Sequence, residues 1–181
     1  MRVIAGSLKG RQLKAPTWPG LRPTSDKLRE TLFNILAPRI AGARVLDGYA
    51  GTGAVGIEAL SRGAASAVFV DRDRRARTLI AENLERCGVL RGCVIIRSSF
   101  DRLDLIAPFD LVLLDPPYDD QPAPVIAMVA DLVAPEGLLV IEHAKRSAAP
   151  EVVAALARTR QIISGDAVLS FYARMAPGKD A

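Results

Sequence analysis

The stretch VLDGYAGTGAVG, residues 45–56, decides the fold of this chain. Its Gly51, Gly53 and Gly56 have the spacing G-x-G-x-x-G and lie between a predicted strand and a predicted helix. Glycines let the backbone approach a ligand closely, and the first turn of a helix adds partial positive charge. Asp71 ends the next predicted strand, 20 residues after Gly51, where its carboxylate can bind ribose hydroxyl groups. The pattern predicts a cofactor that contains a ribose: either a dinucleotide or S-adenosylmethionine.

Asp47 lies four residues before Gly51 and favours the second of these cofactors. An acid this close to a pyrophosphate would repel it, whereas the same acid suits a cationic amino group and a sulfonium. The alternative is that Asp47 merely caps the turn, and Tyr49 fits either a pocket wall or a packing position. The predicted cofactor-binding residues in this region are Asp47, Tyr49, Ala50, Gly51, Thr52, Gly53 and Asp71.

Strands and helices alternate along the chain, which predicts a mostly parallel sheet covered by helices on both faces. The predicted strands cover residues 44–47, 67–71, 93–97, 109–115, 137–143, 160–164 and 167–174. The predicted helices run from a cap at Thr24 or Ser25 to Pro38, from the glycine-rich turn to Arg62, and over 73–86, 122–133 and 149–157. The last two strands flank Gly165-Asp166 and form a terminal hairpin, and residues 2–5 and 11–14 form another small hairpin.

The fourth predicted strand ends in Asp115-Pro116-Pro117-Tyr118. A parallel strand delivers its C-terminal residues to the crevice where ligands bind. The Asp115 carboxylate and the Pro116 carbonyl can accept both hydrogens of an exocyclic amine, and the two prolines keep this backbone rigid. Tyr118 can stack on an unstacked base. The segment predicts direct methyl transfer to an amino nitrogen; the structural alternative is a proline-rich turn with a capping aspartate.

Charge is distributed unevenly along the 181 residues, although the net charge of the whole chain is only +4. Residues 1–44 contain nine basic and two acidic side chains, a net charge of +7, whereas the remainder has a net charge of −3. A basic N-terminal region on a mildly acidic body indicates a surface that binds a polyanion. The alternative is an ordinary solvated surface.

The composition is typical of one soluble globular domain with a substantial core, because half of the residues are hydrophobic and 24% are charged. Cys87 and Cys93 are too few for a disulfide framework and indicate a reducing compartment. No apolar run reaches the roughly 18 residues of a membrane span, and the N-terminus has no signal-peptide core. His143 has no cluster of metal ligands around it. We therefore expect a cytoplasmic protein without a metal or a membrane partner.

Further segments make the chain similar to one family. They are R-V-I-A-G at 2–6, G-R-Q-L-K at 10–14, R-P-T at 22–24, R-E-x-L-F-N at 29–34, the stretch 45–63, D-P-P-Y at 115–118 and G-D-A-V-L-S-F-Y-A-R at 165–174. With these segments the chain resembles the bacterial 16S rRNA guanine-N2 methyltransferase family, RsmD, over nearly its whole length. D-P-P-Y alone is shared with DNA adenine methylases, whereas the R-P-T segment joined to this core is far more specific.

The resemblance implies an α/β class I methyltransferase fold, Rossmann-like, with a mostly parallel seven-stranded sheet, an antiparallel C-terminal strand and a small N-terminal β-hairpin extension. It implies S-adenosylmethionine as cofactor and the N2 amine of a guanine in 16S rRNA as methyl acceptor. We expect the rRNA within a small-subunit assembly particle as the partner of a monomeric enzyme. Residues 1–23 would form the basic hairpin and connector, and residues 24–181 the methyltransferase domain. The expected RNA-contacting residues are Arg2, Lys9, Arg11, Lys14, Arg22, Thr24 and Arg29.

The chain departs from the family pattern at several positions of the cofactor site. The family usually has D-L-F-A-G-S-G where this chain has Gly48, Tyr49 and Thr52, and it often has Glu at the position of Asp71. After the third strand the family often places an Asp for the adenine amine, and this chain has Ser99 there. The Ser99 hydroxyl or the Phe100 backbone N–H is the predicted adenine contact.

Three other functions are compatible with parts of the sequence. A DNA adenine-N6 methyltransferase shares D-P-P-Y, but such enzymes usually carry a target-recognition region for which 181 residues leave no room. An NAD-dependent oxidoreductase shares G-x-G-x-x-G and leaves D-P-P-Y unexplained. A catalytically silent RNA-binding protein would bind RNA without any methyl transfer.

Overall fold

The computed structural model describes residues 1–18, 25–97 and 108–175. Within these ranges the chain forms four α-helices and one eight-stranded mixed sheet. The helices are α1 Asp26–Ile40, α2 Ala54–Ser61, α3 Arg74–Cys87 and α4 Pro122–Val129, which a short 3-10 helix Ala130–Leu132 follows. The strands are β1 Arg44–Gly48, β2 Ser66–Val70, β3 Cys93–Ile96, β4 Phe109–Leu114, β5 Val133–Ala144, β6 Val152–Val153, β7 Leu156–Ser164 and β8 Ala167–Arg174.

The strand order in the sheet is β3-β2-β1-β4-β5-β8-β7-β6. β1 lies between β2 and β4, and these strands together with β3 and β5 run parallel. β8, β7 and β6 continue the sheet beyond β5 as antiparallel strands. The predicted parallel sheet with an antiparallel C-terminal portion is confirmed, and the short β6 adds an eighth strand to the seven expected. Because the carboxyl ends of β1, β2 and β4 meet at one edge, the segments that follow them share one crevice.

The sheet has a hydrophobic core on each face, as the parallel arrangement requires. Successive side chains of β1 point to opposite faces. Val45 packs in one core with Phe33 of α1 and Ile57 of α2, whereas Leu46 packs in the other with Ile126 of α4. The central strand is therefore buried on both sides, and this rigid position supports the glycine-rich turn that follows it.

Helix α1 begins with the predicted serine cap and ends later than predicted. The Ser25 hydroxyl accepts a hydrogen bond from the Leu28 N–H at 3.2 Å. The sequence predicts an end at Pro38, but α1 continues to Ile40. Pro38 lacks the N–H that a helical residue donates, but the burial of Ile40 in the core stabilises this last turn.

The helix predicted over residues 149–157 is wrong. These residues contain β6 and the first part of β7, with a turn in which Ala154 has a φ of +50°. An alanine-rich segment favours a helix locally, but strand pairing decides the outcome here. Leu156 pairs with Arg174 of β8, and its side chain is completely buried in the core.

The predicted N-terminal hairpin is present in a minimal form. Arg2 and Gln12 form an isolated antiparallel bridge, and the Val3 N–H donates to the Arg11 carbonyl at 3.0 Å. Val3 and Leu13 point inward and belong to the same core as α1 and α2. The described part of the N-terminal extension (residues 1–23), namely residues 1–18, is thus packed against the rest of the protein.

Two buried polar side chains of α2 bind the backbone of the N-terminal extension. Glu58 is fully buried, and its two carboxylate oxygens accept hydrogen bonds from the N–H groups of Ile4 at 2.7 Å and Ala5 at 3.0 Å. The Ser61 hydroxyl donates to the Ala5 carbonyl at 2.5 Å. Gly6 has a φ of +83°, and a Cβ there would lie 1.9 Å from the Ser61 carbonyl oxygen. Only glycine therefore permits this close contact.

Candidate active site

The glycine turn (residues 48–53) connects β1 to α2 through left-handed backbone conformations. Tyr49, Gly51 and Gly53 have φ values of +60°, +55° and +75°. Glycine adopts these values without cost, whereas a tyrosine at such a φ is rare and stores strain, which is a feature of functional sites. The Gly53 N–H donates to the Ala50 carbonyl at 2.7 Å, so the turn is tightly closed.

Backbone N–H groups of this region bind protein carboxylates. The Gly51 N–H donates to Oδ2 of Asp71 at 2.9 Å, and the Gly56 N–H donates to Oδ2 of Asp47 at 2.8 Å. Phosphate sites at helix N-termini depend on N–H groups that are free to point at the ligand. Because these donors are occupied by acids, the turn is poorly suited to a pyrophosphate, which disfavours the dinucleotide alternative.

Asp47 is only 4% exposed and lies at the end of β1. Burial raises its pKa well above the usual range, the Gly56 hydrogen bond opposes this rise, and the nearby Asp115 and Asp71 add to it. Three carboxyl groups thus make this part of the crevice unfavourable for further negative charge. A cofactor with a cationic sulfonium and ammonium, such as S-adenosylmethionine, fits this set of groups.

Gly56 allows Asp47 to reach the backbone of α2. A Cβ at Gly56 would lie 2.3 Å from the ring of Phe69 and 3.0 Å from Oδ2 of Asp47. The third glycine of the G-x-G-x-x-G pattern thus permits close packing of the helix on the sheet. Its absent side chain also leaves room for the Asp47 carboxylate.

Asp71 follows β2 and holds two backbone segments together. Its Oδ2 binds the Gly51 N–H, and its Oδ1 accepts from the Asp73 N–H at 2.8 Å. Asp73 in turn caps α3 by accepting from the Arg75 N–H at 2.8 Å. Each Asp71 oxygen has a second lone pair, so the carboxylate retains the capacity to bind ribose hydroxyls.

The D-P-P-Y segment (residues 115–118) follows β4 and lies beside the glycine turn. The Asp115 N–H donates to the Gly48 carbonyl at 3.3 Å, which continues the β1–β4 pairing into the crevice. Asp115 is half-buried, and Asp120 closes a turn by donating its N–H to the Pro117 carbonyl at 2.9 Å. The structure thus brings together the predicted amine site and the predicted cofactor site.

Two tyrosines lie in the crevice region. The half-buried Tyr118 donates from its hydroxyl to Oε1 of Glu142, at the end of β5, at 3.5 Å. Burial and the charge of Asp120 raise the pKa of Tyr49 to about 12, and Arg72 opposes this rise. Tyr49 is therefore neutral at physiological pH. It lies near charged residues of the segments that follow β2 and β4, which suits a pocket wall.

The side chain of His143 has a structural role, because its hydrogen bonds are made within the sheet. Its Nδ1 lies 3.0 Å from the Ala144 carbonyl, which only accepts, so Nδ1 carries the hydrogen. Its Nε2 therefore accepts from the hydroxyl of Ser170 in β8 at 2.8 Å, and the oxygen of that hydroxyl accepts from the Gln161 side chain at 2.9 Å. Both ring nitrogens are satisfied by neighbouring groups, and the ring is buried. The histidine thus helps to join β5 and β8.

Four of the predicted RNA-contacting residues are exposed on the N-terminal extension, namely Arg2, Lys9, Arg11 and Lys14. Lys14 also forms an ion pair with Glu82 of α3 at 2.8 Å. The structure does not place Arg29 on this surface, because its side chain is 1% exposed. Its guanidinium instead donates to the Arg2 carbonyl at 2.6 Å and to Asp26 at 3.0 Å.

Four other predicted site residues, Arg22, Thr24, Ser99 and Phe100, lie outside the described residues. In the part of the chain that is described, no group of three or more His, Cys, Asp or Glu side chains is arranged to hold a metal ion. No helix there is long and apolar enough to cross a membrane.

Sequence reasoning missed the buried polar residues that join the extension to the core. Glu58 and Ser61 of α2 and Asn83 of α3 are all buried and bind backbone groups of residues 4–14. A signal was present: Asn83 lies on the apolar stripe of α3 with Leu79 and Ile80. A polar residue in such a stripe must find a partner.

Comparison with known proteins identifies the family. Residues 1–173 match the family model described as "Conserved hypothetical protein 95". The chain belongs to this family. A relative within it, the ribosomal RNA small subunit methyltransferase D of Escherichia coli strain K12, is 36% identical over 183 residues, covering 99% of this chain and 92% of the relative. The resemblance indicated by the sequence motifs is thereby confirmed.

Further members agree with this assignment. YlbH of Bacillus subtilis strain 168, described as a candidate rRNA methyltransferase, is 37% identical over 180 residues, covering 95% of this chain and 98% of that protein. The solved structure of Escherichia coli yhhF, described as a candidate methyltransferase, superposes with a TM-score of 0.85 at 35% identity, covering 98% of this chain and 99% of that one. This member of the Conserved hypothetical protein 95 family is a methyltransferase with the class I fold.

The buried Asp47 predicts a stability change that depends on pH. Its folded pKa lies above the unfolded value, so the folded state binds more protons between these two values. The stability of the cofactor-free protein therefore falls as pH rises through this window. We expect Asp47→Asn, which cannot ionise, to be more stable than wild type by about 0.5–2 kcal/mol at pH 7. Thermal unfolding from pH 4 to pH 8 should show this difference vanishing at low pH.

Asp73→Asn is the matched control, because Arg75 lowers the pKa of Asp73. The stabilisation from that ion pair is present above the unfolded pKa and is lost as pH falls through the folded pKa. The control should therefore lose stability at neutral pH while Asp47→Asn gains it. A loss of stability in both variants would show that the buried Asp47 carboxylate does not destabilise the folded protein.

Proposed function

We propose that the enzyme transfers a methyl group from S-adenosylmethionine to the exocyclic N2 amine of a guanine in 16S rRNA. The observation that carries this proposal is the adjacency of two segments. Asp115, the first residue of D-P-P-Y, is hydrogen-bonded through its backbone to Gly48 of the glycine turn. An amine held by one segment would therefore meet a methyl donor held by the other.

The cofactor would be held by groups at the ends of β1 and β2. Asp47 offers a buried carboxylate for the cationic part, and Asp71 offers acceptors for ribose hydroxyls. Ser99 and Phe100 are the candidates for the adenine. When bound, S-adenosylmethionine supplies an electrophilic methyl group. The closed, carboxylate-bound turn suits this cofactor better than a dinucleotide.

The acceptor amine would be oriented by Asp115 and by the carbonyl of Pro116. These two acceptors would bind both amine hydrogens, which directs the nitrogen lone pair away from them. As the nitrogen gains positive charge, the Asp115 carboxylate stabilises it and can accept the proton that the amine loses. The prolines limit backbone movement, so little reorganisation is needed during the reaction.

The base would stack on Tyr118 after leaving the RNA helix. The hydroxyl of Tyr118 faces Glu142, which is 8% exposed, so the ring has a neighbour that limits its rotation. Pro117 completes the rigid connection between this ring and Asp115. Stacking with no covalent bond to the base agrees with the positions of the two cysteines, which end α3 and begin β3.

The RNA backbone would bind the exposed basic residues of the N-terminal extension. On this proposal residues 1–23 are the RNA-binding part and residues 24–181 are the methyltransferase domain. The names of the relatives support rRNA as the substrate class. We further propose that the monomer acts in the cytoplasm, without a metal, on rRNA within a small-subunit assembly particle.

The decisive experiment is tritium-methyl transfer to three acceptors: small-subunit particles from a strain that lacks the enzyme, naked 16S rRNA, and duplex DNA. We expect transfer to rRNA, and mass spectrometry of the product should find the label as N2-methylguanine. Calorimetry with S-adenosylmethionine and with NAD checks the cofactor. Transfer to adenine in DNA would overturn the proposal, and so would RNA binding without any transfer.

A further inference from the structure

The N-terminal extension contacts the glycine turn at two points. Thr52 of the turn is 4% exposed, and its hydroxyl lies 3.8 Å from the sulfur of Met1. On the other arm of the hairpin, at the same open end, the backbone of Lys14 meets this turn through the side chain of Asn83. The surface proposed to bind RNA and the turn proposed to bind the cofactor are therefore physically connected.

Asn83 makes the better defined of these two connections. Its Oδ1 accepts from the Lys14 N–H at 2.7 Å, and its Nδ2 donates to the Lys14 carbonyl at 3.2 Å and to the Thr52 carbonyl at 2.9 Å. The side chain is completely buried. An amide offers two donor hydrogens, and both are used here on carbonyls of two separate segments. A displacement of either segment would leave a buried polar group unsatisfied, which is costly.

We propose that Asn83 is a positioning residue that links RNA binding by the extension to cofactor binding by the glycine turn. The inference rests on the proposed function and adds a coupling between its two ligands. RNA that fixes Lys14 in place would also fix the amide and the Thr52 carbonyl. The cofactor would then bind a turn that the RNA-bound extension supports through Asn83, and reciprocity requires that the cofactor strengthen RNA binding by the same factor.

The test measures the dissociation constant of S-adenosylhomocysteine with and without small-subunit particles from a strain that lacks the enzyme. In wild type we expect the particles to tighten binding about fivefold or more. In Asn83→Ala the ratio should fall below about twofold, because the Thr52 link is lost. Asn83→Leu serves if the alanine variant does not fold, since its side chain fills the space that alanine leaves without offering a donor or an acceptor.

Two controls separate coupling from general destabilisation. Glu82→Ala removes the exposed ion pair of Lys14 and leaves the Asn83 hydrogen bonds intact. Leu84→Val weakens the core at the next position of α3 without touching either link. Both should keep the wild-type ratio, whatever their melting temperatures.

The outcomes distinguish this inference from the proposed function. Methyl transfer to rRNA with a wild-type ratio near one would overturn the coupling alone. The coupling would also be overturned if the Asn83 variants kept the wild-type ratio of the two S-adenosylhomocysteine dissociation constants, or if Leu84→Val lowered that ratio equally. If wild type neither binds the particles nor methylates rRNA, the proposed function fails together with the coupling.

Discussion

Replacing Asp115 with alanine should lower kcat for methyl transfer about 100- to 1,000-fold, with a much smaller change in the affinity for S-adenosylmethionine. The carboxylate is proposed to bind amine hydrogens and the developing positive charge, and both interactions strengthen in the transition state. Asp115→Asn keeps one acceptor oxygen and loses the charge, so an intermediate kcat is expected. Single-turnover tritium-methyl transfer measures the chemical step, and calorimetry measures cofactor binding.

Asp119→Asn is the matched control for this series. Asp119 lies just beyond the D-P-P-Y segment and is 95% exposed, in a surface ion pair with Arg146 at 3.2 Å. Such pairs contribute little to stability, so the variant should retain wild-type kcat. Unchanged turnover in Asp115→Ala would remove Asp115 from the reaction, and equal losses in both variants would point to loop structure instead.

Neutralising Arg2, Lys9 and Arg11 together should weaken binding to small-subunit particles about 10- to 100-fold at 0.1 M salt. The slope of log Kd against log salt should fall by about 2 to 3, because three fewer counterions are released on binding. These residues are exposed on the hairpin, whereas Lys14 is omitted because its backbone is bonded to Asn83. Filter binding across a salt series measures both quantities, and S-adenosylmethionine affinity in the absence of RNA should not change.

The control replaces the same number of exposed arginines elsewhere, at Arg39, Arg91 and Arg160. Arg39 lies in the last turn of α1, Arg91 precedes β3 and Arg160 lies on β7, so none of them belongs to the hairpin. If RNA binding depends only on total charge, the two triple variants will have equal slopes, and the extension will have no special role. A smaller slope of log Kd against log salt in the hairpin variant alone would support a special role of the extension in RNA binding.

The central parallel sheet was predictable because its signals are local. Apolar runs such as residues 44–47 and 109–115 alternate with helical stripes, and the glycine spacing lies between them. The antiparallel edge of the sheet was harder to predict from the sequence. Residues 149–157 have helical composition, but Leu156 is held opposite Arg174, and this pairing depends on contacts that composition does not encode. The structure resolves this conflict in favour of the sheet.

Some features of the candidate site can likewise be predicted from local sequence signals, and others cannot. The sequence predicts that Asp47, Asp71 and D-P-P-Y lie together, because strand ends of a parallel sheet meet at one edge, and the structure has these segments side by side. Arg29 was misplaced on the basic surface because charge alone does not indicate burial, and its guanidinium instead lies beneath the Arg2 backbone. Contacts between distant segments, such as that of Asn83 with Lys14, depend on the folded arrangement and were therefore missed.

The way the extension packs also has a consequence for synthesis. Its first residues bind Glu58 and Ser61 of α2, and Lys14 binds Asn83, 69 positions later. At translation rates of about 5–20 residues per second, about 3–14 seconds pass between the synthesis of Lys14 and that of its partner Asn83. During that interval the most basic part of the chain emerges beside the RNA of the ribosome without its intramolecular partners. The extension should therefore gain its native packing only once α3 has been made.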